Sequence, residues 1–190
     1  MIECLLCNKE LKTSEHFTDL IFINQQEKWI CKECKKDFEQ IGEIHCPRCF
    51  KDKEEKVCKD CEFWEDKGNT VQHEALYRYN GAMKDYFKRY KFEGDRLLGM
   101  VFASDIKKAL KKYKSYTIIP TPISHEKKQE RGFNQVSSIL DFAEIKYRSL
   151  FQKEDSLAQS KKNKRRTIKN LSTFSIKRRS SNKAKVSYLR

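Results

Sequence analysis

The sequence predicts an α/β domain that follows a small N-terminal module built around cysteine residues. All eight cysteines fall within the first 61 of 190 residues. Strand-like and helix-like segments then alternate between residues 71 and 143, and the final stretch is strongly basic. We predict a cysteine module at residues 1–65, an α/β domain at residues 66–176 and a disordered basic tail at residues 177–190. A polar turn at residues 65–70 marks the first boundary.

The cysteines are arranged in pairs of the form Cys-x-x-Cys, the spacing with which one turn of chain binds a metal ion. Two pairs supply the four thiolates of a tetrahedral zinc site, so the chain should bind one or two structural Zn²⁺ ions. We favour sequential grouping, first pair with second and third with fourth, because the last two pairs are close together, as in a zinc ribbon. Interleaved grouping, redox motifs and metal-free pairs are the alternatives. The predicted metal ligands are Cys4, Cys7, Cys31, Cys34, Cys46, Cys49, Cys58 and Cys61.

Nothing in the sequence resembles a targeting or membrane-spanning segment. The N-terminus has no basic region followed by an apolar core. The longest apolar stretch, from Leu97 to Ala103, is far short of the roughly 20 residues that cross a bilayer. We therefore predict a cytoplasmic protein without membrane insertion, in which cysteines bind metal rather than form disulfides.

The elements of the α/β domain follow from periodicity. A partly alternating run predicts a strand at Val71–Tyr79, and helices are predicted from Ala82 to about Lys91 and from about Arg96 to Tyr113. A strand at Tyr116–Ile119 comes next. A charged loop follows it, and a further helix is marked by apolar residues 136, 139, 140 and 143. Alternating strands and helices predict a parallel sheet.

The stretch at residues 116–135 is the candidate ligand site. A strand that empties into a loop before a helix is where α/β proteins bind anions. An arginine offers a phosphate two donors, a glycine allows close backbone approach, and an asparagine can cap the helix. In the alternative interpretation Phe133 is a core anchor, the asparagine only a cap and the arginine a surface charge. The candidate ligand-binding residues are Thr121, Arg131, Gly132, Asn134 and Gln135.

With these motifs the chain resembles the ComF/ComFC family of bacterial late-competence proteins, which look like type I phosphoribosyltransferases. The resemblance covers nearly all of residues 1–170. Besides the cysteine pairs, it is carried by Tyr77-Arg78-Tyr79, Lys91–Asp95, Ile118–Ile123 and, most specifically, Glu130–Gln135. It implies a phosphoribosyltransferase-like fold, a role in DNA uptake and natural transformation, single-stranded DNA as ligand, and a helicase-like competence ATPase of the uptake machinery as partner. It also implies that the candidate ligand-binding residues lie on the phosphate or pyrophosphate side of the site.

The resemblance also exposes a gap. A type I phosphoribosyltransferase should carry two adjacent acidic residues and a Thr/Gly-rich phosphate loop, whereas no Asp or Glu follows Asp155. We interpret the chain as truncated or frameshifted, with Lys185-Val186 as the start of the missing strand. The sheet would then be incomplete, Ile118 and Leu140 would lack cover, and stability would be marginal. Whether the chain is an enzyme stays open: no catalytic residue is assigned, and phosphoribosyl pyrophosphate would be a substrate only if the site were complete.

The C-terminal region is where positive charge concentrates. Of a net charge of +14, residues 151–190 supply most, with 13 Lys/Arg against 2 Asp/Glu. Contact with a nucleic-acid backbone is one interpretation, and a solvated segment or a flexible catalytic loop are the others. Three functions follow: a competence protein that binds single-stranded DNA, a phosphoribosyltransferase (amidophosphoribosyltransferase-like), or an inactive truncated product. The predicted nucleic-acid-binding residues are Lys161, Lys162, Lys164, Arg165 and Arg166.

Overall fold

The computed structural model describes residues 2–11, 29–70, 72–153, 174–176 and 186–189. The chain is a mixed α/β protein that divides into two compact units, residues 31–87 and residues 1–30 with 88–190. The predicted domain boundaries at residues 65 and 176 stay predictions. The described helices are α1 Lys32–Lys36, α2 Lys59–Glu65, α3 Gly81–Phe92, α4 Gly99–Leu110, α5 His125–Arg131 and α6 Gln135–Phe142.

The described strands form three sheets of two strands each. Strands β1 and β2 are antiparallel, as are β4 and β5, whereas β3 and β6 are parallel with Thr117 opposite Val186. The predicted parallel sheet is therefore represented by one parallel pair in the described part of the chain. The strands are β1 Ile2–Glu3, β2 Glu10–Leu11, β3 Thr117–Pro120, β4 Phe151–Lys153, β5 Phe174–Ile176 and β6 Val186–Leu189.

In the unit of residues 31–87, the strand expected at Val71–Tyr79 is wrong. Over residues 72–79 the chain makes an isolated antiparallel bridge from Tyr77 to Gln40. The next residues leave the extended conformation because Asn80 starts helix α3. Its side-chain oxygen accepts from the Met83 N–H at 3.0 Å, and its amide donates to the Asp37 carbonyl at 2.8 Å.

Helix α4 organises the other unit. It lies between short 3₁₀ turns at Arg96–Leu98 and Lys111–Tyr113, so the predicted helix from about Arg96 to Tyr113 is confirmed. Val101, Phe102 and Ala103 of α4 are buried in the core, and α4 packs against α6. The two helices approach closely at Gly99, where a β-carbon would lie 3.0 Å from Phe142 and from the Tyr90 hydroxyl.

The expected loss of cover over the central residues is also wrong. Ile118 and Ile119 of β3 are buried, and Leu140 of α6 has no exposed surface. The contact of α6 with α4 accounts for Leu140. Strand β3 pairs with β6, and its Ile118 carbonyl accepts from the Arg148 backbone N–H at 2.9 Å. The strand suspected to begin at Lys185-Val186 is present as β6, inside the predicted basic tail.

No helix in the described ranges is both long enough and apolar enough to span a membrane.

Candidate metal centres and a candidate anion-binding loop

The third and fourth cysteine pairs form one compact group. The sulfur atoms of Cys46, Cys49, Cys58 and Cys61 all lie within 4.8 Å of one another. The Cys46 and Cys61 sulfurs are 3.9 Å apart, and those of Cys49 and Cys58 are 3.6 Å apart. Three of the four side chains are buried, and Val57 packs against them. Four sulfurs at these separations can surround a single metal ion.

Two different local structures present these sulfurs. Cys46 begins a tight turn in which its N–H donates to the Lys51 carbonyl at 2.8 Å and its carbonyl accepts from the Phe50 N–H at 3.0 Å. Phe50 closes that turn with a left-handed φ of 59°, and its ring stacks on His45 at 4.0 Å. Cys58 instead occupies the N-cap position of α2, and its carbonyl accepts from the Cys61 N–H at 2.9 Å, which brings Cys61 onto the first helical turn.

The electrostatics of this group favour a bound cation. Burial raises the pKa of Cys46, but backbone N–H groups of Cys49, Cys58 and Arg48 lower it to about 6. Burial and the neighbouring thiols raise the pKa of Cys61 well above its usual range. Four thiolates cannot share this space without a counter-charge, which a divalent ion would supply. A closed set of four soft sulfur ligands fits Zn²⁺.

The first and second pairs repeat the same two local structures. Cys4 begins a turn in which its N–H donates to the Lys9 carbonyl at 2.9 Å and its carbonyl accepts from Asn8, whose φ is 58°. Cys31 caps the N-terminus of α1, and its sulfur accepts from the Cys34 N–H at 3.4 Å. Each group of four cysteines thus combines one pair in a turn with one pair at the N-terminus of a helix.

The sequential grouping of the cysteines is confirmed. The sulfurs of Cys4, Cys7, Cys31 and Cys34 form the second set within 4.8 Å, so each set could hold one metal ion. Sequence reasoning did not foresee that the two sets share their local structures. The asparagine at position 8 was a usable signal, because asparagine tolerates a left-handed backbone better than most residues.

The candidate anion-binding loop differs from its prediction in one element. The charged loop after β3 is largely a helix, α5, whose first turn is capped by Ser124 through the Lys127 N–H at 3.4 Å. Gly132 ends α5 with a φ of 81°, and its N–H donates to the Lys128 carbonyl at 2.9 Å. No atom of the described residues lies within 4 Å of the position that its β-carbon would occupy. Gly132 therefore supplies a left-handed turn, and its close approach to a bound phosphate stays a prediction.

Asn134 joins the two ends of this loop. Its side-chain oxygen accepts from the N–H groups of Val136 at 2.9 Å and Ser137 at 3.3 Å, so it caps α6 as expected. Its amide group also donates to the Thr121 carbonyl at 2.9 Å. Two of the five candidate residues are thereby held together, because the segment after β3 is tied to the start of α6.

Arg131 and Gln135 form a second contact in the loop. The Arg131 guanidinium donates to the Gln135 side-chain oxygen, while the Gln135 backbone carbonyl accepts from the Tyr90 hydroxyl at 2.7 Å. The Tyr90 ring lies 5.3 Å from that of Phe133, measured between centroids, so Phe133 packs as the anchor considered in the alternative interpretation. The last turn of α3 is in this way fixed against residues 133–135.

Two half-buried cations meet at this place. Burial lowers the pKa of the Arg131 guanidinium, although Glu130 raises it. Burial, and then the charge of Arg131, lower the pKa of Lys91. The Arg131 Nε is buried and has no hydrogen-bond partner among the described residues. Sequence reasoning had not assigned a role to Lys91, although it begins the Lys91–Asp95 motif; its proximity to Arg131 is a tertiary feature.

The predicted nucleic-acid-binding residues Lys161, Lys162, Lys164, Arg165 and Arg166 lie outside the described residues, so their role stays a prediction.

These features define a mixed α/β protein with two tetracysteine groups that could each hold a metal ion. The chain is 40% identical over 176 residues to the competence protein ComFC of Streptococcus pneumoniae, covering 93% of this chain and 80% of that protein. It is 29% identical over 185 residues to ComFC of Bacillus subtilis, covering 93% and 77%. No protein-family profile and no solved structure matches it. The chain belongs to the ComFC family of competence proteins.

Proposed function

We propose that this protein acts in natural competence by binding single-stranded DNA during DNA uptake. The observation that carries the proposal is the 40% identity to a competence protein across 93% of the chain. The excess of positive charge, +14 over the whole sequence, supports a polyanionic ligand. The residues at 161–166 are candidates for backbone contacts, and a helicase-like ATPase of the uptake machinery is the candidate partner.

Each tetracysteine group, in this proposal, binds one structural Zn²⁺ ion. The support is chemical, since the four thiols of each group lie within 4.8 Å of one another. In the group that contains Cys46, the Cys58 backbone N–H donates to the Cys46 sulfur. The pKa of Cys46 is lowered there, whereas the pKa of Cys61 is raised. A site with four protein ligands has no open position, so the ions stabilise the fold and take no part in chemistry.

The domain around β3 is proposed to have a type I phosphoribosyltransferase-like fold. Its support is the order of elements, in which strand β3 leads through the Pro-Thr-Pro turn into two successive helices, and the parallel pairing of β3 with β6. In such a fold the loop after the strand faces the ligand.

Single-stranded DNA binding is tested by fluorescence anisotropy of a labelled oligonucleotide titrated with the full chain at several NaCl concentrations. Contacts to phosphates release counterions, so the logarithm of the association constant should fall linearly with the logarithm of salt. Each phosphate neutralised contributes about −0.7 to the slope for single strands. Binding that is absent at low salt, or that does not respond to salt, would contradict the proposal.

A second candidate function is binding of a diphosphate ligand such as phosphoribosyl pyrophosphate. The specific observation in its favour is the pair formed by Lys91 and Arg131, two half-buried cations whose pKa values are lowered by burial. An anion between them would restore the favourable electrostatics that burial removes. The hydrogen bond from the Asn134 amide to the Thr121 carbonyl would hold the neighbouring loop in position for this anion.

Calorimetric titration with inorganic pyrophosphate tests this second function. The chain should bind pyrophosphate, and Arg131→Gln and Lys91→Gln should each weaken binding by about tenfold, the size of one charge-assisted hydrogen bond. Lys84→Gln, an exposed site earlier on the same helix, is the matched control. Equal affinity in all four proteins would argue against an anion site at Arg131.

A further inference from the structure

A dense basic surface that none of the proposed functions uses lies at the end of helix α4. Five exposed lysines occur within eight residues there, in the last turn of α4, in the 3₁₀ turn that follows it and directly after that turn. We call this set the lysine ridge. From Ile106 to His125 the sequence contains no Asp or Glu. The ridge consists of Lys107, Lys108, Lys111, Lys112 and Lys114.

The helix holds these lysines away from the core. Val101, Phe102 and Ala103 of α4 are buried, whereas the lysines are exposed. Residues four apart are neighbours on a helix, so like charges at 107 and 111, and at 108 and 112, repel each other. The negative end of the helix dipole offsets part of this repulsion. Concentrating five cations here nevertheless leaves a strongly positive surface.

Little negative charge opposes the ridge. Lys107 forms an ion pair with Glu144 at 2.8 Å, and this contact holds the pKa of the Glu144 carboxyl below its usual range. The chain that leaves Glu144 adds two exposed cations, Lys146 and Arg148. Arg148 donates its backbone N–H to the Ile118 carbonyl, which keeps that segment beside β3. The positive surface therefore continues past the ion pair of Lys107 with Glu144.

The ridge also carries aromatic rings. Tyr113 and Tyr116 are half-buried and lie 5.5 Å apart between centroids, nearly perpendicular. The Lys112 ammonium lies 5.4 Å from the Tyr113 ring centroid. Cations next to aromatic rings are the combination with which proteins bind single-stranded nucleic acid: the cations contact phosphates and the rings contact bases.

We propose that the lysine ridge is a binding surface for the sugar–phosphate backbone of single-stranded nucleic acid. This proposal rests on the proposed function and assigns single-stranded DNA binding to a site in the described part of the chain. A membrane surface is the less favoured partner, because membrane-binding helices insert an exposed apolar face. The large hydrophobic side chains that are exposed in the described residues are Ile44, Tyr79, Phe92 and Leu97, none of them on the ridge.

The test compares wild type with a variant that carries Lys111→Gln, Lys112→Gln and Lys114→Gln, using oligonucleotide anisotropy across NaCl concentrations. If three phosphate contacts are lost, the salt slope becomes shallower by about 2, and affinity near 0.1 M salt falls about ten- to a hundredfold. A variant with Lys56→Gln, Lys59→Gln and Lys67→Gln removes three exposed lysines from residues 31–87 and is the matched control. It should keep the wild-type slope. Circular dichroism of both variants checks that they are folded.

Each outcome decides between the claims. A ridge variant that is folded and binds DNA with wild-type affinity and slope overturns the ridge proposal and leaves the proposed function standing. Absence of DNA binding in the wild type overturns both. Equal losses in the ridge variant and the control indicate non-specific attraction by net charge and also overturn the ridge. Phosphatidylserine vesicles form a second arm: lost vesicle binding with unchanged DNA binding would assign the ridge to a membrane instead.

Discussion

At the scale of single residues, Asn134 explains how the candidate loop keeps its shape. One side chain satisfies two backbone donors of α6 and one backbone acceptor at Thr121. Capping of a following helix was predictable, because asparagine at this position precedes an apolar period. The contact with Thr121 was not, because it joins residues 13 apart that only the fold brings together.

Replacing Asn134 by alanine should destabilise the protein by about 1–2 kcal/mol, since both the cap and the loop contact are lost. Asn134→Asp keeps an oxygen for the cap and loses the amide donor to Thr121, so it should fall between the two. Urea unfolding of the three proteins measures the differences. An alanine variant as stable as wild type would show that the loop is held by other contacts.

Another prediction concerns Gly99, which lies at the close contact of helices α4 and α6. A β-carbon there would lie 3.0 Å from both Phe142 and the Tyr90 hydroxyl, which is tighter than most packed contacts, so these neighbours would have to shift. Gly99→Ala should therefore cost about 1–3 kcal/mol of stability, although alanine is the better helix former. Gly81→Ala at the start of α3 is the control, because no residue in the described part of the chain lies within 4 Å of its added carbon. The midpoint of thermal unfolding should fall for Gly99→Ala alone. Equal midpoints for the two variants would mean that α4 and α6 can move apart without loss of stability.

At the scale of elements, the tetracysteine groups are built twice from the same parts. A turn supplies the first pair of cysteines in each group. The residue that closes this turn has a left-handed backbone, and it is Asn8 in one group and Phe50 in the other. A short helix that begins at a cysteine, Cys31 or Cys58, supplies the second pair. The helices have five and seven residues, too few to be stable alone, so a metal ion would be an important stabilising contact.

The grouping of the cysteines predicts metal stoichiometry. Cys46→Ser should remove about one of two bound zinc ions, because three remaining thiolates leave the site open. Cys46→Ser combined with Cys58→Ser should remove no more, since both belong to one group. Cys46→Ser combined with Cys31→Ser should remove both ions. Metal analysis of the purified proteins gives these numbers, and two lost ions in the first double variant would contradict the grouping.

The elements also differ in how far sequence could predict them. Helices α4 and α6 carry apolar residues at helical spacing, and both were predicted. Helix α5, His-Glu-Lys-Lys-Gln-Glu-Arg, has no apolar stripe, so its pattern was that of a charged loop. Its ends were the remaining signal: Ser124 is a favoured N-cap and Gly132 a favoured residue after the last turn.

At the scale of the whole molecule, sequence predicted chemistry better than arrangement. Cysteine spacing predicted both tetracysteine groups, because the two cysteines of each Cys-x-x-Cys pair lie in one turn of the chain. The cation pair of Lys91 and Arg131, the burial of Ile118 and Leu140, and the lysine ridge beside Glu144 depend on contacts between distant segments. No periodicity in a single sequence encodes such contacts.

The most direct test of the central claim, that this protein acts in natural competence, is the transformation frequency of Streptococcus pneumoniae that lacks its own ComFC. The cells would express either this chain or, as the positive control, the deleted protein from the same promoter. We predict transformants well above the empty-vector level with this chain, and fewer with the ridge variant. As few transformants as with the empty vector, from cells in which the chain accumulates to the level of the positive control, would contradict the claim.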